Sequence, residues 1–216
     1  GIGLGPAISD QWFLLAIGYY AIFSWASALK SRDAETFALT WASPAFLCTI
    51  LGYGMVAFMS YSTSYWGAPY AERVFEISKS ELGLLLGAPA AVTGFLGVVI
   101  GGRVADWLFT KLPGGRIYVI LFGLLAPVPV MWVMFTTESK AVFLIAAAIA
   151  QLFASSALGA AAATSQSLVL PRMRGVATAT FFLATTLVGL ALGPYLAGLI
   201  SAKADDDLSL GMLSLL

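Results

Sequence analysis

Gln151, Ser155, Gly159, Ala162 and Gln166 recur at spacings of four, four, three and four, which in a helix places them on one face. Amides and hydroxyls in that arrangement offer hydrogen bonds; they can hold a solute but supply no strong acid, base or nucleophile. Polar at its ends and small in between, the face suits the lining of a cavity. It would equally suit helix-on-helix packing, with the polar groups bonded to neighbours. Tyr61 and Tyr65, one helical turn apart beside Ser60, Ser64 and Trp66, read either as further solute contacts or as an interfacial aromatic belt. A third group is electrostatic. The stretch GGRVADWLFTKLPGGR at 101–116 gathers Gly102, Asp106 and Arg116, and so concentrates charge in a chain that has little of it.

Covalent chemistry is poorly served. The sequence has no histidine, which excludes Ser-His-Asp triads and histidine-ligated metals within it. Its one cysteine, Cys48, stands in an apolar run and reads as a small buried hydrophobe. No metal site and no cofactor is expected. A membrane-embedded enzyme would need an acid, base or nucleophile at mid-membrane, and no charged residue lies in the middle of any full apolar span. The formal net charge of zero gives no reason to expect nucleic acid as a partner.

The elements that must position these residues are membrane helices. Of 216 residues, 60% are hydrophobic and 10% charged, with mean hydropathy +0.91; soluble domains carry roughly 25% charged residues. Apolar runs without alternation cover 44–66, 83–101, 117–135, 141–169 and 175–200, long enough to cross a bilayer as helices and not as barrel strands. A shorter run lies at 12–29, and partial ones at 1–9 and 208–216. The chain reads as a piece of a longer one.

Charge sorts by alternate loops. Loops 30–35, 102–116 and 171–174 hold seven of the eleven basic residues (Lys30, Arg32, Arg103, Lys111, Arg116, Arg172 and Arg174) against Asp33, Glu35 and Asp106. The other loops hold four basic and eight acidic residues. The positive-inside rule assigns the first set to the cytoplasm. In addition, GIGLGP at 1–6 returns as GLALGP at 189–194, an offset of 188 residues with six helices between. Read as a repeat and not as chance, this is the mark of a fold built from two parallel halves.

These features resemble the major facilitator superfamily, whose two six-helix halves carry a cytoplasmic motif G-x-x-x-D-(R/K)-x-G-(R/K)-(R/K) after the second helix and a weaker copy after the eighth. Gly102, Ala105 and Asp106 match it. Trp107 replaces the usual basic residue, and the insert LFTKLPG displaces the closing pair to Gly115 and Arg116. Such an insert is similar to the spinster-like branch. So is SYWGAPYAERVFEISKSELGLLLG, with Trp66, Pro69, Tyr70, Arg73, a Ser-x-x-Glu cap and Gly83. VLPRMRGVATATFFLATTLVGLALGPYLAGLIS, with Pro171, Arg174 and Gly175, also resembles it.

The resemblance implies an all-α polytopic bundle, a superfamily-type C-terminal six-helix half. Residues 1–29 would end helix 5 and form helix 6 of the N-terminal half. Residues 30–43 would be the cytoplasmic loop between halves, and 44–216 helices 7 to 11 with the start of helix 12. It implies a secondary transporter working by alternating access in a bacterial cytoplasmic membrane, with the missing N-terminal half and the bilayer as partners. The solute would be a small organic or amphipathic, lipid-like molecule held by Tyr61, Tyr65, Gln151, Ser155 and Gln166. Gly102, Asp106, Arg116, Arg174, Gly193 and Pro194 would form the moving parts, Asp106 latching onto a helix start in the other half. A drug or organic-acid exporter, and a passive channel or scramblase, are the alternatives. The coupling ion is not specified.

Overall fold

The computed structural model describes residues 5–204 and 207–216. Among these residues the chain is helical throughout, with no strand. The α-helices are α1 (Gly5–Arg32), α2 (Ala34–Leu39), α3 (Pro44–Phe75), α4 (Lys79–Lys111), α5 (Gly115–Leu125), α6 (Pro127–Thr136), α7 (Lys140–Ser167), α8 (Arg174–Ala184), α9 (Gly193–Lys203) and α10 (Leu208–Leu213). A 3-10 turn, Pro171–Met173, leads into α8, and a π-helical stretch, Thr185–Leu192, joins α8 to α9. Five segments are long and apolar enough to cross a membrane: α3, α4, α5 with α6, α7, and Pro171–Lys203.

Local chemistry sets the boundaries. Ser43 caps α3 ahead of Pro44, its hydroxyl accepting from the Phe46 N–H at 3.4 Å. Ser78 does the same for α4 through Glu81 N–H, which is the Ser-x-x-Glu cap read from the sequence. Between them Glu76 takes a left-handed conformation, φ 53°.

Three boundaries differ from the sequence expectation. The stretch 101–116 is mostly helix, because nothing from Arg103 to Lys111 breaks one. The stop comes only at Pro113 and at Gly114, whose φ of 75° favours glycine. Asp106 therefore sits on α4 and not past its end. The runs at 1–9 and 12–29 belong to one helix from Gly5, continuous through Asp10, since Pro6 stands in the first turn, where its missing N–H costs nothing. The span at 117–135 is two helices meeting at Ala126–Pro127. Gly1 to Leu4 of the first glycine-proline run, and Asp205 and Asp206, lie outside the described residues.

Helix α7 is the hub, packing against α3, α4, α5 and α6. Its buried face is alanine-rich: Ala146, Ala150, Ala154, Ala157, Ala160 and Ala161. In hydrocarbon, helices gain little from hiding apolar surface and associate through close packing of small residues. The α4–α7 seam is built that way. A methyl group on Gly97 would collide with the Leu152 carbonyl, and one on Gly101 with the Ser156 backbone. Two aromatic-rich cores flank the seam. Phe46, Phe181 and Met173 fill the one nearer the basic loops; Phe135, Phe143 and Tyr70 fill the other.

The basic loops meet at one end of the bundle. There Arg116 pairs with Asp106 at 2.9 Å, and Arg172 on the turn before α8 pairs with Glu35 of α2. At the opposite end Lys79 meets Glu72 and Lys140 meets Glu81, each at 3.7 Å.

Candidate site: the cleft between α3, α4 and α7

An apolar cleft of about 620 Å³ opens between α3, α4 and α7. Helix α3 contributes Thr63, Ser64 and Gly67; α4 contributes Leu82, Leu86 and Ala90; α7 contributes Leu144, Ala147 and Gln151. Glu72 and Lys79 stand among its lining residues, so the acidic-loop end of the cleft carries an ion pair. With one side chain at 82% and the other at 44% exposure, that pair is loose and adds little to stability.

Gln151 is the polar floor. Its amide nitrogen donates to the Ser155 hydroxyl at 3.1 Å, and its carbonyl accepts from Ser60 of α3 at 3.5 Å. Gly94 of α4 leaves room for this group: a methyl there would come within 3.6 Å of the amide nitrogen. Thr63 spends its proton on the Met59 carbonyl at 2.9 Å. Its oxygen still has a lone pair for a guest, and Ser64 is exposed. The cleft thus offers a long apolar wall, one amide, two hydroxyls and a charged mouth. It can recognise a molecule with a greasy body and a polar part.

The predicted site residues fall into three places. Gln151 and Ser155 come together at the cleft floor. Gln166, on the same face of α7 but four turns on, is instead bonded to Thr178 of α8 at 3.3 Å. Between them Gly159 packs on Gly102 of α4, where a methyl would lie 3.6 Å from the Gly102 Cα. The middle of this face is therefore a helix contact.

Tyr61 and Tyr65 border a second seam, where α3 meets the π-helical stretch and α9. Tyr61 lies against Gly189; Tyr65 meets Trp66 edge to face at 5.2 Å; the Trp66 indole donates to the Pro194 carbonyl at 2.8 Å. Gly193 is pressed onto the Phe58 carbonyl and the Ser62 hydroxyl. Both tyrosine side chains are exposed, beside Ser64.

The third place is the basic end. Arg116 reaches back from α5 to Asp106 and lies over the Phe109 ring, 4.4 Å from its centroid. The arginine that the insert displaces in sequence is returned to the aspartate in space. Arg174 is exposed at the start of α8. Sequence reasoning passed over Thr63 and the Glu72–Lys79 pair. The first carried a signal, a hydroxyl on a hydrocarbon-spanning helix; the second joins the last turn of α3 to the first residue of α4, with nothing in the sequence to single it out.

A bundle of membrane-spanning helices around a largely apolar cleft with a polar floor and a charged mouth defines a polytopic membrane protein. No family model matches the chain. An MFS-type efflux pump of Mycolicibacterium smegmatis is 27% identical over 195 residues, covering 90% of this chain and 45% of the pump. The human protein spinster homolog 3 is 28% identical over 187 residues, covering 79% of this chain and 35% of that protein. Among solved structures, a bacterial homolog of the human lysosomal transporter Spinster, inward-facing and unoccupied, superposes with TM-score 0.70 at 29% identity. The match covers 82% of this chain and 37% of that one. The same protein in its inward-facing, occupied form gives 0.69 at 30% identity. The chain is thus similar to spinster homologs and to an MFS-type efflux pump, and it spans less than half the length of these relatives.

Proposed function

We propose that this chain forms the C-terminal half of a secondary transporter that carries a small organic or amphipathic, lipid-like solute by alternating access. The observation that supports this most directly is the cleft between α3, α4 and α7. Its only polar floor is Gln151 with its two serine partners, and its walls are hydrocarbon. A solute with a polar group and a greasy body would satisfy both.

Helix α4 supports the two-part architecture. It is 33 residues long, yet within this bundle only Leu82, Gly97, Gly101 and Ala105 are buried. The remaining surface is available to a second bundle and to lipid. The relatives' greater length supplies the chain for such a bundle. Asp106 stands at the basic end, where a helix start in that second bundle would meet it. A drug-exporting variant of the same reading draws support from the efflux-pump relative, since the cleft would accept any amphipathic solute of suitable size.

The test is transport by the complete reading frame in proteoliposomes, with and without an ion gradient. Saturable, gradient-dependent uptake is expected, and Gln151→Ala should raise the half-saturating concentration roughly tenfold, the cost of one buried hydrogen bond to a guest. Unsaturable flux that ignores the gradient would establish a passive channel or scramblase instead.

A further inference from the structure

A second hollow, separate from the cleft, lies on the outer flank of the bundle between α4 and α5, with α7 as its back wall. Its volume is about 410 Å³. Ile100, Val104 and Leu108 of α4 form one bank, and Tyr118 and Phe122 of α5 the other. Ser156 is the only aliphatic hydroxyl among the lining residues, and it is already bonded to the Phe153 carbonyl at 2.6 Å. With the Tyr118 phenol as its one other polar group, the hollow offers ordered water too few partners.

We propose that this groove seats one acyl chain of an anionic phospholipid from the leaflet at the basic end of the bundle, with the lipid phosphate held at Lys111. Three observations meet here. First, length: along α4 the groove runs from Gly97 to Leu108. That is roughly 16 Å at 1.5 Å per residue, close to half of a hydrocarbon core about 30 Å thick. The groove is one leaflet deep.

Second, direction: its Leu108 end is the basic end, and its Gly97 end is near the bilayer centre. Lys111 lies three residues beyond Leu108 and seven beyond Val104, on the same helix face. Lys111 is exposed, one turn past the groove's Leu108 end. Tyr118, 56% exposed, puts an aromatic ring with a phenol on the opposite bank.

Third, charge: Asp106 is tied to Arg116 on another face of α4, so no carboxylate competes for Lys111 in the described ion pairs. A cation at the membrane surface beside an apolar slot is complementary to a phosphate with one attached chain.

A second copy of this chain, or the second bundle proposed above, is the other kind of occupant the groove's apolarity would allow, but a packed helix would have no use for the cation at the mouth. The lipid satisfies both ends.

The experiment is native mass spectrometry of the detergent-purified complete protein, titrated with palmitoyl-oleoyl phosphatidylglycerol or with phosphatidylcholine of the same chains. Phosphatidylglycerol should be retained at least fivefold better. Lys111→Gln, an exposed substitution, should remove that preference by lowering phosphatidylglycerol retention about fivefold while leaving phosphatidylcholine unchanged. Val104→Trp, which fills the groove, should lower retention of both lipids, with thermal unfolding confirming that the fold persists. Equal retention of the two lipids by the native protein, or a preference untouched by Lys111→Gln, overturns the assignment. So does a lipid-independent dimer that Val104→Trp dissolves, since that would make the groove a protein interface.

Discussion

Among single residues, several of those that carry charge at the ends of the bundle have short-range partners. Asp33 is the N-cap of α2, accepting from the Thr36 hydroxyl and from its backbone N–H at 3.0 Å. The hydroxyl first, then the amide, hold its carboxyl below the usual 3.8. A carboxylate whose folded pKa is depressed stabilises the fold above its unfolded pKa and ceases to do so as pH falls through the lower folded value. Docking of α2 should thus be independent of pH above about 4 and weaken only below it. Hydrogen exchange of residues 34–40 between pH 3 and 6 measures this, and Asp33→Asn should abolish the acid dependence. A protection profile in the aspartate form that is flat down to pH 3 would refute it. Other residues were unreadable in advance. The Gln151 amide could be given a helix face from spacing alone, but not its partners, because Ser60 and Gly94 lie 91 and 57 positions away and only packing brings them there.

Elements are held together mainly by the absence of side chains. The α4–α7 seam depends on Gly97 and Gly101; the seam of α3 with α9 depends on Gly193 and on the Trp66–Pro194 hydrogen bond. Gly101→Ala should destabilise the protein by about 1–3 kcal/mol, the usual cost of forcing atoms into a filled contact. Gly102→Ala, where nothing lies within 4 Å, should be nearly neutral. Thermal unfolding in detergent compares the two, and equal losses would contradict the seam. The spans themselves were legible from hydropathy, because hydrocarbon permits few alternatives to an uninterrupted helix. The break at Ala126–Pro127 and the helical course of 101–111 were not. Hydropathy marks where a helix leaves the membrane, whereas the chain ends the helix where proline and a left-handed glycine force it to.

For the whole molecule, the two ends differ in what their ion pairs connect. At the basic end the Asp106–Arg116 pair lies within the α4–α5 hairpin, with Asp106 70% exposed on its outer side. An exposed pair of this kind contributes between zero and about 1 kcal/mol, so a competing helix start can draw the aspartate away at little cost. If it latches the second bundle in the proposed transporter, Asp106→Asn should shift the complete protein towards the inward-open form. Spin labels across the basic end would read this as a longer mean distance, and an unchanged distribution would leave Asp106 as a solvated helix residue only. The likeness to spinster homologs and an MFS-type efflux pump was legible in the motif at 101–116; the first copy of the glycine-proline echo lies largely outside the described residues. The place of the cleft was not legible, since it arises where three helices separated in sequence diverge.

The π-helical stretch at Thr185–Leu192 has a mechanical consequence of its own. A coil wound with one surplus residue can hand that residue along, much as a ruck travels down a carpet, trading one or two backbone bonds at each step. Every residue the ruck passes turns by about 100° about the rod's axis, the angle of one residue in an ordinary helix. Leu192 and its neighbours towards Gly193 would swing a new flank to the Tyr61 side while the rod's ends, at Arg174 and Lys203, keep their places.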